Sequence, residues 1–286
     1  MKTIIYFLIS IFIFGIVSVG FTNNSKTFNT IVMQSTEMNI SSVSLSQSAK
    51  IISDRLKEFS SEAFDIAILP EKNQLKVELN GKWDMQTAEN LILKKGEISF
   101  YETYNQESLS KLFSGVDQLY SLINSSATNS SNVQIGCVSI KDVDKLNKYL
   151  STLEANQKCK FVWNQHFNDT TACLYALKVN AEKGGLLEAT DIESVKYIQN
   201  KTSKSIEIEI KLKKSAIELW SKVTKRNIHN AIAIVLDNNV IFAPIVNSAI
   251  DGGLCEITGN FTENEAKYIA ALGNNGILPV NFMIVK

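Results

Sequence analysis

The sequence is poor in the residues that most catalytic and metal-binding sites require. Its 286 residues include two histidines, His166 and His229, together with four cysteines and three prolines. These histidines and cysteines are not closely spaced, which argues against a zinc site and against most histidine-based catalysis. The motifs of phosphate-binding loops, serine hydrolases and zinc proteases are also missing. We therefore predict no catalytic residue, no metal site and no cofactor.

The chain also lacks an excess of charge of either sign. Lys and Arg together number 29, Asp and Glu together number 29, and no run of basic residues stands out. Because nucleic acids are bound through many phosphate-neutralising contacts, we expect no DNA or RNA partner. Hydrophobic residues make up 45% of the chain, which is enough for a packed core and excludes an intrinsically disordered protein.

Long apolar runs are missing outside the N-terminus. As a helix, the run from Ile4 to Gly20 would be about 26 Å long, slightly short of the ~30 Å hydrocarbon core of a membrane. Two interpretations of residues 1–21 stay open, a cleaved signal peptide and an uncleaved membrane anchor. The small residues Ser18 and Gly20 suit cleavage before Phe21. Both interpretations predict an extracytoplasmic (periplasmic) body, either secreted or tethered to the inner membrane by residues 4–20.

The four cysteines allow two interpretations in an oxidising compartment. Cys159 opens the strand-like sequence CKFVW and Cys173 opens CLYALKV, with a polar turn between them. A hairpin over residues 159–179 would bring these two cysteines near each other, so a Cys159–Cys173 disulfide is one prediction. Buried thiols are the alternative for these residues and for Cys137 and Cys255.

Residues 29–103 predict the order strand, helix, strand, strand, helix, strand. Apolar residues recur at helical spacing in the first helix, with Arg55 and other charged residues placed elsewhere on the wheel. Asp84 is expected to cap the second helix, and Glu97 to Thr103 is expected to be the fourth strand. This order is the split βαβ arrangement, in which two helices cover one face of a four-stranded antiparallel sheet.

A second mixed α+β block follows. Residues 206–213 alternate between aliphatic and charged side chains, which predicts a half-buried strand. A hairpin is predicted around Asp237, Asn238 and Asn239, with Pro244 closing its second strand. The glycines at 252, 253 and 259 are interpreted as turns between strands, since the residues after them do not suit a phosphate loop. Residues 263–272 predict a last helix, and residues 277–285 return as a strand.

Three C-terminal segments carry a family resemblance. They are KSAIELWSKVTKRNIHNAIAIVLDNNVIFAP (214–244), ITGNFTENEA (257–266) and LGNNGILPV (272–280). Together they resemble the head region of the first large periplasmic domain of SecD and fused SecDF, accessory subunits of the bacterial Sec translocon. The residues that match the family motif, with an expected structural role, are Asp237, Asn238, Pro244, Gly259, Asn260 and Phe261.

Earlier segments resemble other parts of the same domain. IISDRLKEF (51–59), KVELNG (76–81) and KGEISFYET (95–103) are similar to its base, and GCVSIKDVDKLNKYL (136–150) and LYALKV (174–179) to the head insertion of longer SecDF chains. The resemblance implies an α+β protein with a ferredoxin-like base over residues 29–104. It further implies a mixed α+β head inserted over residues 105–276 and a C-terminal strand, 277–286, that returns to the base.

The resemblance also implies a function. SecD proteins couple transport to proton flow through ionisable groups in six membrane spans, whereas this sequence has one apolar span at most. We therefore expect a non-enzymatic accessory factor in protein export without proton-driven activity of its own. Its expected partners are unfolded or translocating polypeptide, subunits of the Sec translocon, and the membrane through the N-terminal segment alone. The alternative is a duplicated domain reused as an envelope structural or adhesion module unrelated to export.

Overall fold

The computed structural model describes most of the chain after its N-terminal apolar run. The described residues are 28–38, 40–113, 116–123, 133–154, 158–165, 170–179, 184–200, 204–259 and 261–285. The predicted signal or anchor segment, residues 1–21, lies outside them, as do His166 and Asn260. Within the described ranges, no helix combines the length and the apolar character needed to cross a membrane.

One four-stranded antiparallel sheet forms the base. Its strands, in the order β14-β1-β3-β2, are Phe282–Val285 (β14), Phe28–Ser35 (β1), Gln74–Asn80 (β3) and Phe64–Leu69 (β2). This is the strand order of the split βαβ arrangement, so the predicted fold class is confirmed. The position of its fourth strand was predicted wrongly, because β14 and not residues 97–103 pairs with β1.

Two helices cover one face of the base sheet, α1 (Ser42–Phe59) and α2 (Met85–Leu93). Each begins at a residue whose side chain accepts a backbone N–H of the first turn, Ser41 for α1 and Asp84 for α2. The Asp84 cap was predicted from the sequence and is confirmed. The helices bury their aliphatic stripes against the strand residues Leu75, Val77 and Leu79, which are fully buried.

The second sheet contains the strand that the sequence assigned to the base. Strand β4 (Ile98–Tyr104) pairs along its length with β11 (Ile232–Leu236). The sheet has seven strands in the order β5-β7-β6-β12-β11-β4-β8, where the others are β5 (Gln134–Ser139), β6 (Cys159–Asn164), β7 (Thr171–Lys178), β8 (Leu187–Glu188) and β12 (Asn239–Phe242). Because β7 also pairs with β4, the strands β4, β11, β12, β6 and β7 close into a ring.

Strand β11 is buried on both faces, which explains its uninterrupted apolar sequence. Ala231, just before the strand, Ala233 and Val235 share one cluster with residues of β4, β6, β7 and β12, inside the ring. The alternate residues Ile232 and Ile234 belong to the main core, which also contains the base helices. These two alanines leave room in the ring for larger side chains from other strands, such as Tyr101 and Tyr175.

A three-stranded sheet completes the head and joins it to the base. Its order is β13-β10-β9, from Leu254–Thr258, Ile206–Leu212 and Ile192–Gln199, and two helices flank it, α6 (Lys214–Arg226) and α7 (Glu263–Asn274). Strand β10 was predicted from its alternating pattern, whereas β9 and β13 were missed. Helix α7 packs on β9 on one side and on α1 and α2 on the other, so the base and the head share one continuous core.

Three further helices pack on the far side of the ring, α3 (Gln106–Leu112), α4 (Val116–Leu122) and α5 (Ile140–Glu154). Their apolar residues form a separate cluster with β5, β6 and β7. We call the elements from β4 to α7 the head, and β1, α1, β2, β3, α2 and β14 the base. Two segments connect them, residues 94–97 (the first crossover) and residues 275–281 (the second crossover).

Candidate functional site at the junction of base and head

A cleft of about 540 Å³ opens where the base meets the head. Helix α2 forms its base side, and α7, the end of β6 and the β11–β12 turn form its head side. The residues that line it are Gln86, Asn90, Lys94, Trp163, Gln165, Leu236, Asp237, Asn238, Asn239, Ile241, Phe261, Glu265, Tyr268, Ile269 and Leu272. Three aromatic side chains and five amides therefore line the same cleft.

The aromatic residues of the cleft are held by contacts on their outer sides. The Trp163 indole N–H donates to the Asn147 side-chain oxygen at 2.8 Å, which fixes the ring beside α5. Phe261 packs against Phe242 with ring centroids 5.7 Å apart. Burial raises the pKa of the Tyr268 hydroxyl, so this group stays neutral and can donate a hydrogen bond at physiological pH.

The turn between β11 and β12 places Asp237 at the floor of the cleft. Asp237 and Asn238 both have positive φ, 50° and 61°, as a two-residue type I′ hairpin turn requires. The Asp237 carboxylate accepts the backbone N–H of Gly96 at 2.9 Å and that of Glu97 at 2.8 Å. The turn thus binds the first crossover, and the hairpin predicted from the sequence is confirmed.

Arg55 lies directly behind this turn and is completely buried. Its guanidinium donates to four backbone carbonyls, those of Leu91 at 3.2 Å, Lys94 at 2.6 Å, Lys95 at 2.8 Å and Gly276 at 2.7 Å. Burial lowers its pKa to about 10 and the charge of Asp237 opposes that shift, so Arg55 stays protonated at neutral pH. One base side chain therefore binds both crossovers.

Sequence reasoning placed Arg55 on the solvent side of α1, and this is wrong. Arg55 is four residues after Ile51 and three after Ile52, both buried, so it lies on the apolar stripe of the helix. That spacing is the one signal that could have identified it. Gly96, with φ of 78°, is needed beside it, because a Cβ there would lie 2.2 Å from Arg55 Nη2 and 2.9 Å from the Leu272 carbonyl.

The remaining motif residues lie around the same part of the head. The Pro244 carbonyl accepts the N–H of Ile232 at 3.1 Å, beyond the end of β12. Gly259 leaves room for the aromatic pair, since a Cβ there would approach Phe261 to 3.0 Å and Phe242 to 3.2 Å. The structural role expected for the motif residues stays a prediction, and Asn260 lies outside the described residues.

The disulfide joins a different pair from the one predicted. Cys173 is bonded to Cys137, which lies directly opposite it in the pairing of β5 with β7. Cys159 and Cys255 are buried thiols. The Cys159–Cys173 prediction failed because both cysteines lie at or near the beginning of their strands, and the beginnings of two antiparallel strands lie at opposite ends of a hairpin. Cys159 accordingly faces Lys178, while Cys173 faces Asn164.

The described residues contain no group of three or more His, Cys, Asp or Glu side chains arranged to hold a metal ion. His229, described in the loop before β11, has a φ of 67° and donates its backbone N–H to the Val246 carbonyl at 2.8 Å. What the cleft offers is therefore aromatic and amide surface for non-covalent binding.

Comparison with protein families and relatives supports the resemblance found in the sequence. Residues 169–280 match the family model described as SecDF, P1 head subdomain. The SecD translocase subunit of Calditerrivibrio nitroreducens is 24% identical over 249 residues, covering 86% of this chain and 41% of that protein. The Rickettsia conorii SecD subunit is 44% identical over 69 residues, 24% of this chain and 13% of that protein. The chain thus spans less than half the length of these relatives.

Two solved SecDF structures have the same fold. A chain from the structure of SecDF as a membrane component that enhances protein export aligns with a TM-score of 0.53 and 19% identity, covering 90% of this chain and 98% of that one. SecDF in its Super-membrane-facing form aligns with a TM-score of 0.55 and 18% identity, covering 91% of this chain and 30% of that one. Residues 169–280 therefore match a SecDF P1-type head subdomain, and the chain is similar over most of its length to a SecD subunit of the protein translocase.

Proposed function

We propose that this chain is an extracytoplasmic accessory factor in protein export that binds unfolded or translocating polypeptide. Docking on subunits of the Sec translocon is the second way in which it would take part in export. It has no enzymatic activity and no proton-driven activity of its own in this proposal. The observation that carries the proposal is the P1-type head subdomain, joined to its base across an open cleft.

The chemistry of the cleft suits an unfolded chain better than a single small molecule. Asn and Gln side chains offer both a donor and an acceptor, which is what the peptide backbone of any sequence needs. Trp163, Phe261 and Tyr268 offer apolar faces for client side chains that are exposed before folding. One cationic residue, Lys94, and two acidic ones, Asp237 and Glu265, line the cleft, so no strong selection by charge is expected.

The disulfide supports the extracytoplasmic part of the proposal. A disulfide such as Cys137–Cys173 forms and persists in oxidising compartments and is rare in the cytosol. Attachment to the inner membrane through residues 4–20, or secretion after cleavage before Phe21, stays a prediction, since those residues lie outside the described ranges. N-terminal sequencing of the protein from its native host would separate the two.

The binding proposal is tested with the full chain and a fluorescently labelled, carboxymethylated polypeptide that cannot fold. We expect saturable binding by anisotropy, with at least tenfold weaker binding of the same polypeptide in its folded, disulfide-bonded form. Asn90→Arg, which puts a long side chain into the cleft from α2, should weaken binding several-fold. Gln118→Arg on exposed α4 makes the same change in net charge away from the cleft and should leave binding unchanged.

Translocon docking is tested by cross-linking the full chain to translocon subunits in native membranes. Binding to neither unfolded polypeptide nor translocon subunits would overturn the export function and favour the alternative of an envelope structural or adhesion module. If Asn90→Arg and Gln118→Arg bind the polypeptide equally well, the protein still binds polypeptide, but the binding site is not the cleft.

A further inference from the structure

Strand β2 forms one outer edge of the base sheet. It pairs with β3 on one side, and in the described part of the chain no strand pairs with its other side. The N–H of Asn80 donates to the Ala63 carbonyl at 2.8 Å, and these residues lie opposite each other in the extended β2–β3 register. Because backbone bonding alternates along an antiparallel pair, Asp65, Ala67 and Leu69 turn their backbone groups inward.

The alternate residues of β2 therefore turn their backbone groups away from the sheet. These are Phe64, Ile66 and Ile68, with three N–H donors and three carbonyl acceptors at the spacing of a β-strand. Among the described residues, no hydrogen bond reaches these outward groups. Proteins usually protect such an edge with a charge, a proline or a covering element. Pro70 follows the strand, but the outward positions themselves are aromatic or aliphatic.

A groove of about 510 Å³ runs beside this edge, beneath α1. The side chains of Phe64, Ile66 and Ile68 lie on the helix side of the sheet, because they are paired with the buried Leu79, Val77 and Leu75. Ile68 is nonetheless 37% exposed. The helix contributes the small side chains of Ala49 and Ser53 to the groove. An added strand about 4.8 Å outside β2 would place alternate side chains beneath these small residues.

Charge distinguishes the two ends of the groove. Lys57, Glu62 and Asp65 lie near the beginning of β2, and no ion pair within the described residues joins any of them. Lys57 and Glu62 balance each other within the groove, whereas the Asp65 side chain alternates to the opposite face of the sheet, where it lies across from Glu78 and leaves an acidic group beside the edge. The other end, at Ala49, Ile66 and Ile68, is uncharged. The complementary occupant is an extended segment with alternate aliphatic side chains in the groove and a basic residue on the Asp65 face, next to the position opposite Phe64.

We propose that the β2 edge binds an extended segment of client polypeptide as a fifth strand of the base sheet. The inference rests on the proposed function and adds a second contact surface to it, on the base and away from the cleft. Backbone hydrogen bonds would supply the affinity independently of most client side chains, and the groove would select every second side chain. A client held in this way must be unfolded over at least the length of the strand.

The test uses the full chain and the peptide Val-Thr-Val-Thr-Val-Lys, followed by amide hydrogen exchange with NMR detection. Without peptide, we expect fast exchange at Phe64, Ile66 and Ile68 and slow exchange at Asp65 and Ala67. Saturating peptide should slow the outward amides at least tenfold and leave the inward ones unchanged. A peptide that ends in Glu instead of Lys should bind at least threefold more weakly at low salt.

Three variants keep the inference falsifiable. Ile68→Lys places a charge at the exposed end of the edge and should weaken peptide binding at least tenfold, whereas Ile68→Thr, neutral and β-branched, should bind within threefold of the parent. Ile66→Pro removes one outward donor and no bond to β3, so it should fold and bind at least tenfold more weakly.

Each outcome separates this inference from the proposed function. If unfolded polypeptide binds but the outward amides stay unprotected, the edge inference is overturned and the proposed function stands. If sedimentation shows that the chain dimerises and protects these amides without peptide, the occupant is a second copy and the inference is also overturned. If no unfolded polypeptide binds while the short peptide protects the edge, the edge site stands and the export function fails.

Discussion

The side chains of Arg55 and Asp237 hold opposite sides of the same crossover. Arg55, from the base, donates to the carbonyls of Lys94 and Lys95, while Asp237, from the head, accepts the N–H groups of Gly96 and Glu97. A cation thus satisfies the acceptors and an anion satisfies the donors of one short segment, through charge-assisted bonds. The Gly276 carbonyl extends this arrangement to the second crossover. These two side chains thus add polar contacts at the crossovers to the apolar core that α7 shares with the base helices.

Arg55→Met should be strongly destabilising. Four carbonyls lose a charged donor that is itself completely buried, and a polar group left without a partner away from water is costly. We expect the free energy of unfolding to fall by about 3 kcal/mol or more. Arg55→Lys should lose most of the same stability, because a single ammonium cannot reach carbonyls on both crossovers. Urea unfolding followed by circular dichroism measures both changes.

Arg226→Met is the matched control for Arg55→Met. Arg226 is also a guanidinium with a defined acceptor, the Glu102 carboxylate at 2.9 Å, but its side chain is 55% exposed. Its loss should cost less than about 1 kcal/mol, as is usual for exposed pairs. If Arg55→Met and Arg226→Met have similar effects, the buried guanidinium is not what holds the crossovers.

Asp237→Asn tests the other side of the first crossover. The amide retains one acceptor oxygen, but its NH₂ group faces the second backbone donor, so one N–H loses its partner. The expected loss of stability is about 2 kcal/mol. The control is Asp54→Asn, which breaks the exposed pair of Asp54 with Lys50 and should change stability by less than about 0.5 kcal/mol. If Asp237→Asn leaves the stability unchanged, the turn holds the crossover through its backbone alone.

Local features of this fold could be predicted from the sequence, and the features that depend on distant pairing could not. The hairpin at Asp237 and Asn238 and the Asp84 cap depend on a few neighbouring residues. The membership of β4 in the head sheet depends on its pairing with β11, more than 120 residues away in sequence. Either β4 or β14 fits the local pattern of a fourth base strand, and only the whole fold decides between them.

The residues of the candidate site also divide into those that a local motif identifies and those that only the whole fold brings together. Phe261 was identified because it lies in a motif, and Asp237 for the same reason. The cleft residues Trp163 and Tyr268 come from strands and helices that are distant in sequence, and nothing in their local pattern distinguishes them from core residues. Arg55 was missed because a charged side chain on an amphipathic helix is nearly always exposed. Its partners are backbone carbonyls, which carry no sequence signal.

The disulfide predicts a specific pattern of fragments. Proteolysis of the non-reduced protein should yield a peptide pair that links Cys137 to Cys173, and mass spectrometry should find none that links Cys159 to Cys173. The bond closes a loop over a separation of 36 residues, so removing it by Cys137→Ala with Cys173→Ala should cost about 4 kcal/mol. Cys159→Ala, at a buried thiol outside the bond, tests the cost of removing a cysteine side chain alone.

Glu102 should make the stability of the protein sensitive to acid. Burial raises the pKa of its carboxyl, but hydrogen bonds from Asn227 and Arg226 outweigh burial and hold the folded pKa below the ordinary glutamate value of about 4.5. A folded pKa below the unfolded one means that the unfolded state binds the proton more tightly. The contribution of Glu102 is therefore fully present above about pH 4.5 and is lost as the pH falls through the lower, folded pKa.

Glu102→Gln isolates this contribution, because glutamine still accepts a hydrogen bond but cannot be protonated in this range. Urea unfolding between pH 3 and pH 7 should show that the parent loses more stability than the variant below about pH 4.5, so that the two curves converge in acid. Above that pH the variant should be the less stable of the two, since it lacks the charge that Arg226 binds. Parallel curves across the whole range would mean that the Glu102 carboxylate has the same pKa in the folded and unfolded states. The contact between β4 and the end of α6 would then not depend on charge.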